Sequence, residues 1–161
     1  MAVTRLGTIE PEAAFHVSVH APRTYVPDGA DRSEYWRDLD PSRYANSLVF
    51  LDPDNGFEIK SESGNKWVLH AEVRSLLNAL PASSAVVAYQ QRPRRLWSDV
   101  FETLTPRLGY ATYASAVYEP SLAFVLLARD RAVADRVQAA ADAYVRRHDK
   151  LHHVRLTRSD A

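Results

Sequence analysis

Residues 47–61 read SLVFLDPDNGFEIKS, an apolar run that breaks abruptly into two aspartates, a proline, an asparagine and a glycine. A continuous apolar run closed by turn residues predicts a strand buried on both faces. The turn itself has a local explanation, since Asp and Asn side chains hydrogen-bond nearby backbone and glycine supplies positive φ. Charge gives a reason to look further. Asp52, Asp54 and Glu58 fall within seven residues of one another, and such carboxylates repel unless Lys60, a metal or a ligand offsets them.

Working outward, AAFHVSVHAP (13–22) alternates as a strand and ends at a proline. Residues 23–46 are rich in Pro, Gly, Asp and Arg, with SEYWRDLD as a short helix, which predicts a lid-like loop. Downstream, Asn65 is a helix cap before KWVLHAEVRSLLNAL, where Leu69, Val73, Leu76, Leu77 and Leu80 share a face. SSAVVAYQ (83–90) is a second buried strand, so the expected unit is strand, helix and parallel strand. RLWSDVFETLTPRLG follows as a helix on Trp97, Phe101, Leu104 and Leu108, stopped by Gly109. Residues 110–129 hold two strand-like runs joined by YEPS, the pattern of an antiparallel hairpin. RAVADRVQAAADAYVRRH is an amphipathic helix on Val133, Val137, Ala141, Tyr144 and Val145, and residues 148–161 read as a basic tail. The expected fold is a single α/β domain in three layers, with a mostly parallel sheet and a C-terminal antiparallel hairpin.

Composition limits the chemistry. A chain of 161 residues with 46% hydrophobic content supports one domain with a core. Twenty basic and twenty acidic residues cancel, so nucleic-acid binding needs a local patch rather than a global positive field. The lack of cysteine removes disulfides, thiolate metal sites and a cysteine nucleophile. No run approaches the roughly 18 apolar residues of a membrane span, and the expectation is a soluble, cytoplasmic protein that contacts no membrane.

In open α/β sheets ligands bind outside the carboxyl ends of the strands. DPDNG sits at one such end and QQRPRR (90–95) at the next, which predicts an acidic and a basic turn facing each other across a crevice. Arg92, Arg94 and Arg95 read equally as phosphate ligands or as a solvated run before a helix, and Tyr35 and Trp36 are suited to stacking on a ligand. Trp67, Trp97 and Phe101 read as core. Ser83 and Ser84 read as a helix-to-strand turn, and His148, His152 and His153 as part of a solvated tail. His16 and His20 share a strand face roughly 13 Å apart, too far to hold one metal.

Three of these stretches, LVFLDPDNGFEIKS, GNKWVLHAEV and AVVAYQQRPR, resemble the DPDNG-motif proteins. The sheet of those proteins is similar to that of class I, Rossmann-like, S-adenosylmethionine-dependent methyltransferases. The resemblance implies a methyltransferase-like enzyme acting on a nucleotide or nucleic acid. It places Asp52 and Pro53 on the first two positions of the DPPY motif and Asp54 and Asn55 on the last two. Asp54 and Asn55 would orient an acceptor amine, with Asp52, Glu58 and Lys60 beside them. Pro53, Gly56, Lys66, Gln90, Arg92 and Arg94 would hold the substrate, Lys60 or Lys66 balancing the carboxylates and the arginines taking phosphate. No GxGxG turn occurs for S-adenosylmethionine, which makes a cofactor-less interaction protein, as a homo-oligomer or with a partner protein, the alternative. A third reading takes Pro53-Asp54 and Glu58-Ile59-Lys60 as a nuclease or phosphodiesterase signature, with Asp54 and Glu58 holding Mg²⁺ and Lys60 activating water.

Overall fold

The apolar run after Ser47 forms a short strand, β1 (Leu48–Leu51), in the computed structural model, which describes residues 31–37, 40–59, 64–92, 94–109 and 112–156. The expected strand at 13–22, His16, His20 and Lys60 lie outside the described residues. One helix, α1 (Asp31–Arg37), belongs to the unit Met1–Leu39 and carries Tyr35 and Trp36, whose rings meet edge-on at 5.7 Å. All later elements belong to the unit Asp40–Ala161.

After β1 come β2 (Gly56–Phe57), β3 (Trp67–Val68), α2 (His70–Ala79), β4 (Ala85–Gln91) and α3 (Trp97–Leu108). The chain then forms β5 (Tyr113–Tyr118), β6 (Leu122–Ala128), α4 (Arg131–Val145) and β7 (His152–Leu156). Five strands make one sheet in the order β1-β4-β6-β5-β7, and β2 and β3 form a separate parallel pair.

The sheet is mixed, which corrects the expected mostly parallel, Rossmann-like architecture. Only β1 and β4 pair in parallel, in the register Leu48 to Ala85 through Leu51 to Ala88. Every other pairing in this sheet is antiparallel. The physical reason lies in the connections. A helix links β1 to β4 as an adjacent parallel strand needs, but after α3 the chain skips a position, and β6 folds back from β5 through a tight hairpin into the gap. A second correction concerns residues 152–156, which are no solvated tail but β7, an edge strand along β5.

Strand alternation sorts the core into two sides. Val86, Ala88, Val125, Leu127, Ala114 and Ala116 are buried on the side of α3, whose Trp97 and Phe101 contact the ring of Tyr118. The second side carries α4, where Val133 and Ala134 pack on Ala85 and Ala128 with Tyr113 and Val137 beside them. Asp130 starts that helix, its Oδ1 accepting from the Val133 N–H at 3.0 Å.

Two local expectations also change. β1 is one of the sheet's two edge strands and is not buried on both faces, because on the α4 side Leu48 remains 60% and Phe50 45% exposed. The helix read from Lys66 begins instead at His70. Trp67 and Val68, aromatic and β-branched, are taken by the ladder with β2, in which Asn55 N–H donates to Lys66 O and Glu58 N–H to Val68 O, each at 2.9 Å. Leu76, Leu77 and Leu80 then form the buried face with Val73 as the 3.6-residue period requires.

Candidate functional site

The two turns singled out by sequence leave the same edge of the sheet, because β1 and β4 are neighbours running in one direction. One side chain joins them. Gln90, near the end of β4 and 4% exposed, accepts from the Phe57 N–H through Oε1 at 2.9 Å. Its Nε2 donates to Asn55 O at 3.3 Å and to Gln91 O at 2.6 Å. Each of its side-chain hydrogen bonds goes to backbone, so Gln90 braces the turn rather than holding a substrate.

Gly56 fits the same brace. It holds φ of +102°, and a Cβ there would sit 2.5 Å from Gln90 Oε1, so both backbone conformation and space require glycine. Asn55 is held through its backbone by Lys66 and Gln90. Pro53 is half-buried, while Asp52 and Asp54 are exposed. Neither aspartate carboxylate bonds to or pairs with any described residue.

Glu58 turns inward. Its Oε1 accepts from the backbone N–H of His70 at 2.8 Å and lies 3.0 Å from His70 Nδ1. A carboxylate only accepts, so Nδ1 carries the proton. Burial would raise the Glu58 carboxyl, but the bonds from His70 and the positive field of Arg107 hold it below its ordinary value. His70, stacked beside Phe57 at 5.4 Å between ring centres, is lowered chiefly by its burial, with Glu58 opposing and Arg107 and Arg74 adding to the fall. The pair caps α2, and sequence reasoning overlooked His70 because a histidine in a helical stretch has no distinguishing spacing.

On the basic side Arg92, Arg94 and Arg95 are exposed, and none pairs with a described carboxylate. Arg92 is anchored by its backbone, its N–H donating to Ser121 O at 3.0 Å. Lys66 is exposed on the loop before β3. Among the described residues the edge thus presents two unpaired carboxylates and three unpaired guanidinium groups on adjacent turns.

The remaining motifs are structural. Ser83 and Ser84 tie the start of β4 to the chain before β1, with Ser83 Oγ accepting from Asn46 N–H at 3.1 Å and Ser84 Oγ donating to Tyr44 O. Trp97 Nε1 donates to Glu119 O at 2.8 Å, anchoring α3 over the hairpin. In β7, the side chain of His153 is 5% exposed with its Nδ1 2.6 Å from Asp142 Oδ1 on α4, while His152 lies against the Tyr118 ring at 5.3 Å.

Comparison with protein families, with curated proteins and with solved structures finds no match to this chain. Among the described residues no helix is long and apolar enough to cross a membrane.

Proposed function

We propose that this chain binds a nucleotide or nucleic acid at the carboxyl edge of β1 and β4. The observation that supports the reading is the set of charges left open there. Asp52 and Asp54 on one turn, and Arg92, Arg94 and Arg95 on the next, are exposed and unpaired among the described residues, although the strands they follow are hydrogen-bonded neighbours. Guanidinium forks match phosphate oxygens in pairs, and carboxylates accept from ribose hydroxyls or the exocyclic amines of bases.

Neither cofactor chemistry weighed from sequence fits the described residues. Gly56, the glycine of this edge, has its open side filled by the Gln90 amide rather than left for a methyl donor. Glu58, the second carboxylate a Mg²⁺ site would need, is committed to His70, and no group of three metal-ligating side chains occurs among the described residues. The chain's own residues therefore support binding of such a ligand.

Calorimetry with AMP, ADP and a short oligonucleotide tests this. The unmutated protein should bind at least one of them, and Arg92→Ala with Arg94→Ala should weaken that binding about tenfold or more, the range of a lost charge-assisted bidentate contact. No binding of any of the three ends the proposal. A rise in melting temperature with S-adenosylmethionine would instead restore the methyl-transfer reading, since a specific ligand stabilises by mass action.

A further inference from the structure

One region of the sheet has aromatic side chains and no described helix of the unit Asp40–Ala161 over it. On the α4 side, strand alternation groups Leu48 and Phe50 of β1, Val87 and Tyr89 of β4, and Phe124 and Leu126 of β6. The helix covers the far end of this face, at Ala85, Ala128 and Tyr113. Toward the carboxyl ends of β1 and β4 none of the described residues of α4 packs on the face. Phe50 is exposed there and Tyr89 and Phe124 are half-buried, while Leu48, also exposed, stands at the amino end of β1 opposite Ala85. Phe50 reaches across β4 to Phe124 at 6.2 Å between ring centres, and Tyr89 meets Phe124 at 6.1 Å. No further described ring stacks on these three.

From this we infer that Phe50, Tyr89 and Phe124 form a stacking platform for the bases of a single-stranded nucleic acid, whose phosphates are held by Arg92, Arg94 and Arg95. The inference rests on the reading of the edge given above and narrows it to one class of ligand. Tyr89 precedes Arg92 by three residues on one chain segment, or roughly 10 Å of strand, so the arginines follow at the sheet edge where the platform ends. Aromatic rings on an open sheet beside basic groups are what unpaired bases require, since every base has a π-face and every linkage a charge. Duplex bases already cover one another's faces and cannot use the platform. A second copy of this chain fits less well. Leu48 and Phe50 are the only large apolar side chains on the face above one-third exposure among the described residues, a small patch against the ~800 Å² per partner of a stable dimer. The neutral overall charge fits a ligand held by stacking and few phosphates, with a salt slope of about −2 for three contacts on a single strand.

The test uses fluorescence anisotropy with labelled twelve-residue oligothymidylate and a duplex of equal length, in a salt series. The single strand should bind and the duplex bind at least tenfold more weakly. Phe50→Leu, which keeps the apolar area and removes the ring, should weaken the single strand by about tenfold, in the range measured for one stacked base, with the melting temperature retained because Phe50 is exposed. Arg92→Ala should weaken it too and flatten the salt slope by about 0.7. Equal affinity for strand and duplex overturns the platform. So does binding that Phe50→Leu leaves unchanged while Arg92→Ala reduces it, an outcome in which the edge reading survives alone. Loss with Phe50→Leu but not with Arg92→Ala keeps the platform and removes the arginines' role. No binding of any oligonucleotide, with a dimer in sedimentation that Phe50→Asp disperses, assigns the face to a second copy and sinks the inference.

Discussion

Gly56 and Gln90 show how a turn that looks built for a ligand can depend on a single buried amide. Phe57 N–H has the Gln90 Oε1 as its acceptor, so Gln90→Ala leaves a buried donor unpaired and should cost about 1–3 kcal/mol. Gly56→Ala adds left-handed backbone strain to a clash with that amide, and about 2 kcal/mol is expected. Asp54→Ala touches neither and should stay within about 0.5 kcal/mol. Urea denaturation of the three variants checks this ordering. An Asp54 variant as damaged as the Gly56 variant would mean that the acidic turn's polarity serves folding, and the open charges would lose their significance. Aspartates and glycine in a turn were legible from residue type alone, whereas the role of Gln90 was not, because it acts across 33 residues of sequence.

At the scale of the element, α2 owes its start to two carboxylates. Glu72 Oε2 accepts from Leu69 N–H at 2.9 Å and Glu58 takes the N–H of His70, so two of the orphan donors of the first turn are satisfied. Negative charge there also suits the helix dipole. Acid should undo this in two ranges. His70 is held below its ordinary 6.5, so the unfolded chain takes a proton that the folded one refuses, and stability falls as pH drops from about 6.5 toward the folded value. Glu58 is held below its ordinary 4.5, so a second loss begins there and continues as pH falls through its folded value. Thermal melts from pH 8 to 3 should show both declines. His70→Gln should flatten the upper range and Glu58→Gln the lower, and unchanged profiles in both would remove the pair from the account. The helix itself was readable from its apolar period, but its first residue was not, since the ladder between β2 and β3 claims Trp67 and Val68 through partners eleven residues away.

For the whole molecule, the second edge of the sheet is made by β7. Its His153 fastens the edge strand to α4 through Asp142, which Arg155 also approaches at 3.7 Å. The hydrogen bond from His153 is the chief reason the Asp142 carboxyl lies below its usual value, with the charges of His153, Arg155 and Arg146 assisting. The other ring nitrogen, Nε2, is buried without a partner. Removing Asp142 would leave both nitrogens unsatisfied, so Asp142→Ala should cost about 1–3 kcal/mol. His153→Leu, which replaces the buried polar ring with an apolar side chain, should cost less. The reverse ordering in urea melts would mean that the ring's packing, and not its bond to Asp142, fastens β7.

What the sequence determined by itself was local. The spacing of Val73, Leu76, Leu77 and Leu80, of Phe101, Leu104 and Leu108, and the hairpin across YEPS each follow from periodicity or turn chemistry within a few residues. The parallel pairing of β1 with β4 followed as well, because a helix of sufficient length connects them. Tertiary structure decided the rest. Whether a strand faces helix, water or another strand depends on where distant segments return. The apolar Leu48–Leu51 run therefore became an exposed edge, HHVRL a sheet strand, and β6 the antiparallel insertion that makes the sheet mixed. Strand pairing is a contact between residues far apart in the chain, and no pattern confined to either strand encodes which neighbour it will meet.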